Sequence, residues 1–160
     1  MTQKLLIINF EEIYLKGKNQ KIFIKQLVRN LKRKLSSYSD YLHFDKAQGG
    51  SYFIEIIKDI PDNILNEIIY KVKNTPGITG FYVADTAGIT MEEISATAVT
   101  HAQKFADEFD SFAVVSKRIN KSVPFSSMEI GREVGSAINE TLGKKVDLTN
   151  PDFKLHIKVR

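Results

Sequence analysis

The chain has 160 residues, 42% of them apolar and 26% charged, the composition of a globular protein long enough to close a core unaided. It has no cysteine, which excludes disulfides, thiolate metal sites, persulfide carriers and cysteine nucleophiles. The net charge of +4 conceals three blocks: residues 1–35 carry +7, residues 36–116 carry −7 and residues 117–160 carry +4, so the positive field is concentrated at the two ends of the chain.

The opening "MTQKLLIINFEE" has too short an apolar run for a signal peptide, and acids follow it directly. No later run approaches the roughly 20 residues of a membrane span. These features point to a cytoplasmic protein without a membrane anchor. "KLLIINF" (Lys4–Phe10) reads as a buried strand.

Next comes "YLKGKNQKIF" (Tyr14–Phe23), with three lysines, one glycine and no acid. A nucleotide loop of the type G-x-x-x-x-G-K-[ST] needs several glycine amides around phosphate and a hydroxyl on magnesium. Here Gly17 stands alone and Asn19 follows Lys18, so that reading fails. From about Lys18 to Leu35 the periodicity is helical. Phe23, Ile24, Leu27, Val28, Leu31 and Leu35 share one side, and Lys18, Lys21, Lys25, Arg29 and Lys32 form a stripe on the other. Like charges three and four apart repel by a few tenths of a kcal/mol per pair. Five cations without an acid among them are therefore either a plain solvated face or a surface kept for a polyanion.

"YLHFDKAQGGSYFIEII" (Tyr41–Ile57) predicts two strands turning at Gly49-Gly50. Pro61 opens a helix as its first residue, with Ile64, Leu65, Ile68, Ile69 and Val72 inward. "NTPG" stops it and "GFYVAD" (Gly80–Asp85) adds a strand. The order β-α-β-β-α-β is the split pattern of a ferredoxin-like domain, which places one domain at 1–86 and a second, smaller α/β domain at 87–160. The second opens on a capping box at Thr90 and Glu93, with a helix expected to about Phe109. "SFAVVSKRI" follows as a strand, "SSMEIGREVGSAINETLG" as a helix and "KLHIKVR" as an alternating strand.

The second basic feature is "VSKRINKSVPFSSMEI" (Val115–Ile130). Lys117, Arg118 and Lys121 lie at a strand end and in its loop; Phe125 and Ser126 lead into the next helix, and Arg132 follows in its second turn. Ser126 and Glu129 have the spacing of a capping box. Phe125 is either a hydrophobic staple or a platform for an unpaired base. Gly131 and Gly135 are expected to bring this helix close to its sheet. His43, His101 and His156 fall in separate elements, which argues against a zinc site, and "DLTNPD" (Asp147–Asp152) is a turn rather than a carboxylate pair in a pocket. No metal or cofactor is expected, and no catalytic residue is assigned.

Both basic stretches resemble one family. "EIYLKGKNQKIFIKQLVRNLK" (Glu12–Lys32) is similar to the start of the tRNA sulfurtransferases that form 4-thiouridine, where E-[IM]-x-L-K-G-K-N-[RQ]-x-x-F introduces a ferredoxin-like domain. "KRINKSVPFSSMEIGREVGSAI" with "KKVDLTNPDFKLHIKVR" resembles the THUMP domain that follows it. The resemblance covers almost the whole chain. It implies binding of tRNA at the acceptor stem and 3′ end, with Lys16 and Lys18 matching in the first motif and Arg118, Lys121, Pro124 and Phe125 in the second. It also implies a homodimer and a catalytic domain or subunit elsewhere. Phe10-Glu11-Glu12 stands where the family has Tyr-Gly-Glu, so a family glycine is missing and Glu11 brings an acid beside the basic loop. The family's S-G-G-x-D-S loop and reactive cysteines are absent from these 160 residues, so this chain is expected to bind substrate rather than to adenylate or transfer sulfur. The cations of both domains, Lys16, Lys18, Lys21, Lys25, Arg29, Lys117, Arg118, Lys121 and Arg132, are expected to line one trough for RNA, with Phe125 and Ser126 at the 3′ nucleotides. Two rival readings are a small ferredoxin-like enzyme (a phosphatase or nucleotide-binding catalyst) and a protein-interaction or dimerisation domain using the acidic middle block.

Overall fold

The computed structural model describes residues 4–10 and 19–160. The chain divides between Thr86 and Ala87 into two compact units, each with its own hydrophobic core.

The first unit contains β1 (Lys4–Asn9), α1 (Gln20–Lys34), β2 (Leu42–Gln48), β3 (Ser51–Ile56), α2 (Asp62–Lys73) and β4 (Gly80–Asp85). Its sheet is antiparallel in the order β2-β3-β1-β4, which is the ferredoxin-like arrangement. The β2–β3 turn works because Gly49 (φ 59°) and Gly50 (φ 83°) both take positive φ, as a two-residue I′ hairpin turn demands. The strand period of two sends Leu6, Ile8, Tyr52, Ile54 and Ile56 to one face, where they pack with Leu27, Leu31 and Leu35 from α1 and its end and with Ile68 and Val72 from α2. On the other face Leu5, Ile7 and Phe53 are also buried. Both sides of the central strands are thus closed, which explains why "LLII" is apolar at every position.

Helix α2 starts one residue later than expected. Pro61 is its N-cap, with extended ψ (145°), and Asp62 is the first helical residue. The carbonyl of Pro61 still accepts the first intrahelical bond, from Leu65.

The second unit contains α3 (Met91–Gln103), β5 (Ser111–Arg118), α4 (Ser127–Leu142), β6 (Lys145–Val146) and β7 (Phe153–Val159). Its sheet is parallel, in the order β6-β5-β7. Ile94, Ala98 and Ala102 of α3 and Ile130, Val134 and Ile138 of α4 cover Phe112 and Leu155 of the sheet. The full capping box at Thr90 and Glu93 forms, and its two hydrogen bonds from Thr90 hold the Glu93 carboxyl below its ordinary pKa. Helix α3 stops at Gln103, short of Phe109, because Phe109 is needed elsewhere. Its ring is buried and stacks on Phe153 at 4.6 Å, with an extended backbone (φ −143°, ψ 149°) that no helix can carry. Strand β6 has no signature in the sequence: two residues cannot show a period, and its pairing to Ser111 and Phe112 is non-local. Gly143 ends α4 in the left-handed conformation (φ 66°).

Candidate nucleic-acid interface

Helix α1 carries the first cluster. With 15 residues at 1.5 Å each it is roughly 22 Å long. Leu27 and Leu31 anchor it, while Lys21, Lys25, Arg29 and Lys32 are exposed on the outer side. Among the described residues none of these four side chains has a hydrogen bond or ion pair within the protein. There is no acid in the first turn to complement the helix dipole, whereas the last turn is basic, with Lys32, Arg33 and Lys34. Lys16 and Lys18 lie outside the described residues.

The second cluster is a built loop rather than a loose one. Lys117 and Arg118 end β5, and the chain is tied at once to the end of β7: the N–H groups of Ile119 and Asn120 both donate to the Val159 carbonyl, at 2.7 and 2.9 Å. Asn120 then folds the loop back, its Oδ1 accepting from the N–H (3.0 Å) and hydroxyl (2.5 Å) of Ser122. Val123 plugs the core. Arg118 Nη1 donates to the Phe125 carbonyl at 3.2 Å, and Ser116 Oγ donates to the Ser127 carbonyl at 2.5 Å. Both bonds cross from β5 to the start of α4.

That start resolves two questions the sequence left open. Ser126 Oγ accepts from the Glu129 N–H at 3.1 Å, so the hydroxyl caps its own helix. Phe125 is half-buried against the second core, the cluster that also holds Ile130. Phe125 and Ile130 occupy the positions immediately before the N-cap and four after it, the two places of a hydrophobic staple, and both belong to the second core. Lys121 and Arg132 are exposed, and Lys117 is exposed at the end of β5. The cluster therefore presents Lys117, Lys121 and Arg132 to solvent, while Arg118, Phe125 and Ser126 hold the loop in shape. Ser116 and Asn120 are structural members of this loop that sequence reading passed over. The Asn-x-Ser spacing of Asn120 and Ser122 was a legible turn signal.

The remaining candidates are accounted for. Asp147 Oδ1 accepts from the N–H groups of Thr149 and Asn150 (both 3.0 Å), which lower its pKa. Asp152 Oδ2 accepts from Asp110 N–H (3.1 Å) and Ser111 N–H (3.3 Å). Both carboxylates hold the chain around β6 and form no acid–base pair. The expectation that two glycines seat α4 closely is not met: a Cβ on Gly135 would make only an ordinary 3.9 Å contact with Val146, and one on Gly131 would meet open space. The ring of His101 tilts against Phe105 at 5.5 Å, and His156 has its pKa lowered by burial and by Lys154 and Lys158. No group of three or more metal-ligating side chains exists among the described residues, and no described helix is long and apolar enough to cross a membrane.

Residues 5–82 match the ThiI ferredoxin-like domain and residues 89–160 the THUMP domain. The chain belongs to these two domain families, joined in this order. It is 35% identical over 159 residues to a probable tRNA sulfurtransferase of Thermoanaerobacter pseudethanolicus, covering 99% of this chain and 40% of that protein. It is 31% identical over 156 residues to a probable tRNA sulfurtransferase of Staphylococcus aureus, covering 97% and 37%. The chain thus spans about 40% of the length of the curated relatives it matches. Among solved structures, a 4-thiouridine synthetase crystallised with RNA and bound ATP superposes with a TM-score of 0.77 at 27% identity, over 99% of this chain and 39% of that one. PH1313 from Pyrococcus horikoshii superposes at 0.75 with 20% identity, over 98% and 51%, a likeness of fold. The ferredoxin-like and THUMP architecture seen in the sequence is therefore the one the molecule has.

Proposed function

We propose that this chain is a tRNA-binding module that grips the acceptor stem and 3′ end and presents the tRNA to sulfurtransferase chemistry forming 4-thiouridine, carried by a catalytic domain or partner subunit. The observation that carries this reading is the outer side of α1: Lys21, Lys25 and Arg29 exposed on one face, with no acid spent on them among the described residues. Like charges three and four apart disfavour a helix, and bound phosphates would relieve that repulsion. The relatives named above and the RNA-bound 4-thiouridine synthetase make tRNA the polyanion of choice.

In this reading each unit has a separate task. The α1 stripe, together with Lys16 and Lys18, follows phosphates along the stem. Lys117, Lys121 and Arg132 hold the backbone near the 3′ end, and the α4 start, set by Arg118, Phe125 and Ser126, offers its amide groups and the uncovered edge of Phe125 to unpaired nucleotides. Neutralising about five phosphates should give a slope of log K against log salt of roughly −3 to −4 on RNA. A salt titration with an acceptor-stem minihelix measures it, and a flat response rejects the electrostatic grip. Lys121→Ala should weaken binding and reduce the slope by about one unit. Deleting the 3′ overhang should weaken the wild type and leave a variant lacking the THUMP loop cations almost unchanged; equal losses in both reject end recognition.

A further inference from the structure

One concave site in the first unit is left unused by the phosphate grip. It is a shallow cavity of about 360 Å³ lined by Tyr38, Asn63, Asn66, Glu67, Tyr70 and Lys71, at the lower end of the size range of small-ligand sites. Five of the six come from α2 at spacings of three and four, so they share one face of that helix. Its floor is fixed in place. The Tyr38 hydroxyl donates to Glu67 Oε2 at 2.9 Å, which raises the phenol's pKa and keeps it a donor. Lys71 Nζ sits 5.1 Å from the centre of the Tyr38 ring and donates to the Lys34 carbonyl at 3.4 Å. Its rim is uncommitted. Tyr70 is 70% exposed, an unusual place for a tyrosine ring, and among the described residues neither Asn63 nor Asn66 spends its side-chain amide on the protein.

The position of the cavity matters as much as its lining. Tyr38 follows the end of α1, and Lys34 Nζ donates to the Asn74 carbonyl just past the end of α2, at 3.0 Å. The cavity thus lies beside the C-terminal end of α1, where the cationic stripe finishes in Lys32, Arg33 and Lys34. A strand of nucleic acid tracking the stripe arrives there.

We propose that this cavity is a subsite for a single unstacked nucleobase with an exocyclic amine where uracil and guanine have a carbonyl, that is, adenine or cytosine. Tyr70 is the stacking platform, since every base offers a π-face to an aromatic ring. The Glu67 carboxylate accepts from the exocyclic amine and repels the carbonyl that uracil presents at the same place, and the Asn63 and Asn66 amides complete the hydrogen bonds along the base edge. Lys71 and the last turn of α1 lie on the phosphate side. This inference rests on the reading of the chain as an RNA-binding protein, and the test separates the two.

The 15N-labelled chain is titrated with AMP, CMP, UMP and inorganic phosphate while backbone amide shifts are followed. AMP and CMP should move the amides of residues 63–71 in the millimolar range, UMP should bind at least severalfold more weakly, and phosphate should not reproduce the pattern. Tyr70→Ala, at a position exposed enough to leave the fold intact, should weaken AMP about tenfold, while the slope of log K against log salt for the minihelix keeps its wild-type value because no phosphate contact is removed. Absence of α2 shifts with every mononucleotide at 10 mM, equal shifts with UMP, or an identical response to phosphate each overturns the subsite. A wild-type chain that responds to AMP at α2 but shows no salt-dependent minihelix binding supports the subsite and overturns the acceptor-stem reading.

Discussion

The two units display positive charge in opposite ways. In the first, cations stand on a regular helix that would keep its shape if every one were neutral, because Leu27, Leu31 and Leu35 anchor it from the other side. In the second, the exposed Lys117 and Lys121 stand at the ends of a loop that is laced by Arg118, Asn120, Ser116 and Ser126. The helix sets its cations on a regular scaffold; the loop sets them on a shape held by side-chain hydrogen bonds. Phosphate tracking needs only the former, while reading the end of a strand needs the latter. The ferredoxin-like sheet adds a negative result of the same kind. Other four-stranded sheets stack bases on exposed aromatics, but here the centre of the outer face is Leu5, Ile7 and Phe53, all buried.

The contrast breaks most sharply in the cores. Ile130→Ala removes a fully buried side chain that also forms half of the staple under the basic loop, and should cost about 2–5 kcal/mol. Leu31→Ala, equally buried beneath α1, should cost a similar amount. Their binding consequences should differ. Where both remain folded, the Ile130 variant loses 3′-overhang discrimination and the Leu31 variant keeps it. Denaturant unfolding followed by minihelix titration measures both, and full discrimination in Ile130→Ala would show that loop shape is irrelevant.

Charge removal is the next largest effect. Changing Lys21, Lys25 and Arg29 together to Gln removes three proposed phosphate contacts, which at 0.1 M salt should cost about two decades of affinity and about two units of salt slope. The same change relieves four like-charged pairs on α1 and should raise stability by about 1 kcal/mol. Binding and stability moving in opposite directions is the signature of a helix face shaped by its ligand. A variant that loses stability instead would mark the lysines as structural.

How far these features could be read beforehand follows from how local they are. The α1 stripe, the Gly49-Gly50 turn and the Thr90–Glu93 cap depend on residues within a few positions of one another, and all are legible in the sequence. The true end of α3 is not, since it is set by Phe109 reaching Phe153, 44 positions away in sequence. Strand β6 is invisible for the same reason. For the interface, residue types were readable but their division of labour was not. Arg118 looks like any phosphate-binding arginine until its guanidinium is found on the Phe125 carbonyl, and the Tyr38–Glu67 bond that floors the α2 cavity spans 29 positions.

Ser126→Ala tests the loop's shape more gently. Losing an N-cap hydroxyl should cost about 1 kcal/mol, against a negligible cost for Ser127→Ala one position on, inside the helix. Thermal unfolding of the pair measures the difference. Equal shifts would mean that the α4 start is held by Arg118 and Phe125 alone.

The smallest effect concerns acid. Asp147 has its carboxyl pKa lowered by two backbone N–H donors. A carboxyl depressed on folding stabilises the protein above its ordinary value of about 3.8, and that stabilisation is lost as the pH falls toward the folded value. Asp147→Asn keeps an acceptor oxygen for Thr149 and Asn150 but cannot titrate. The variant should therefore be slightly less stable at pH 7, where the charged acceptor makes the stronger bonds, and should lose less stability than wild type between about pH 5 and pH 3. Melting curves across that range should show the two proteins converging toward acid. Parallel curves would place the acid sensitivity in another carboxylate, Glu93 first, since its capping bonds depress it in the same direction.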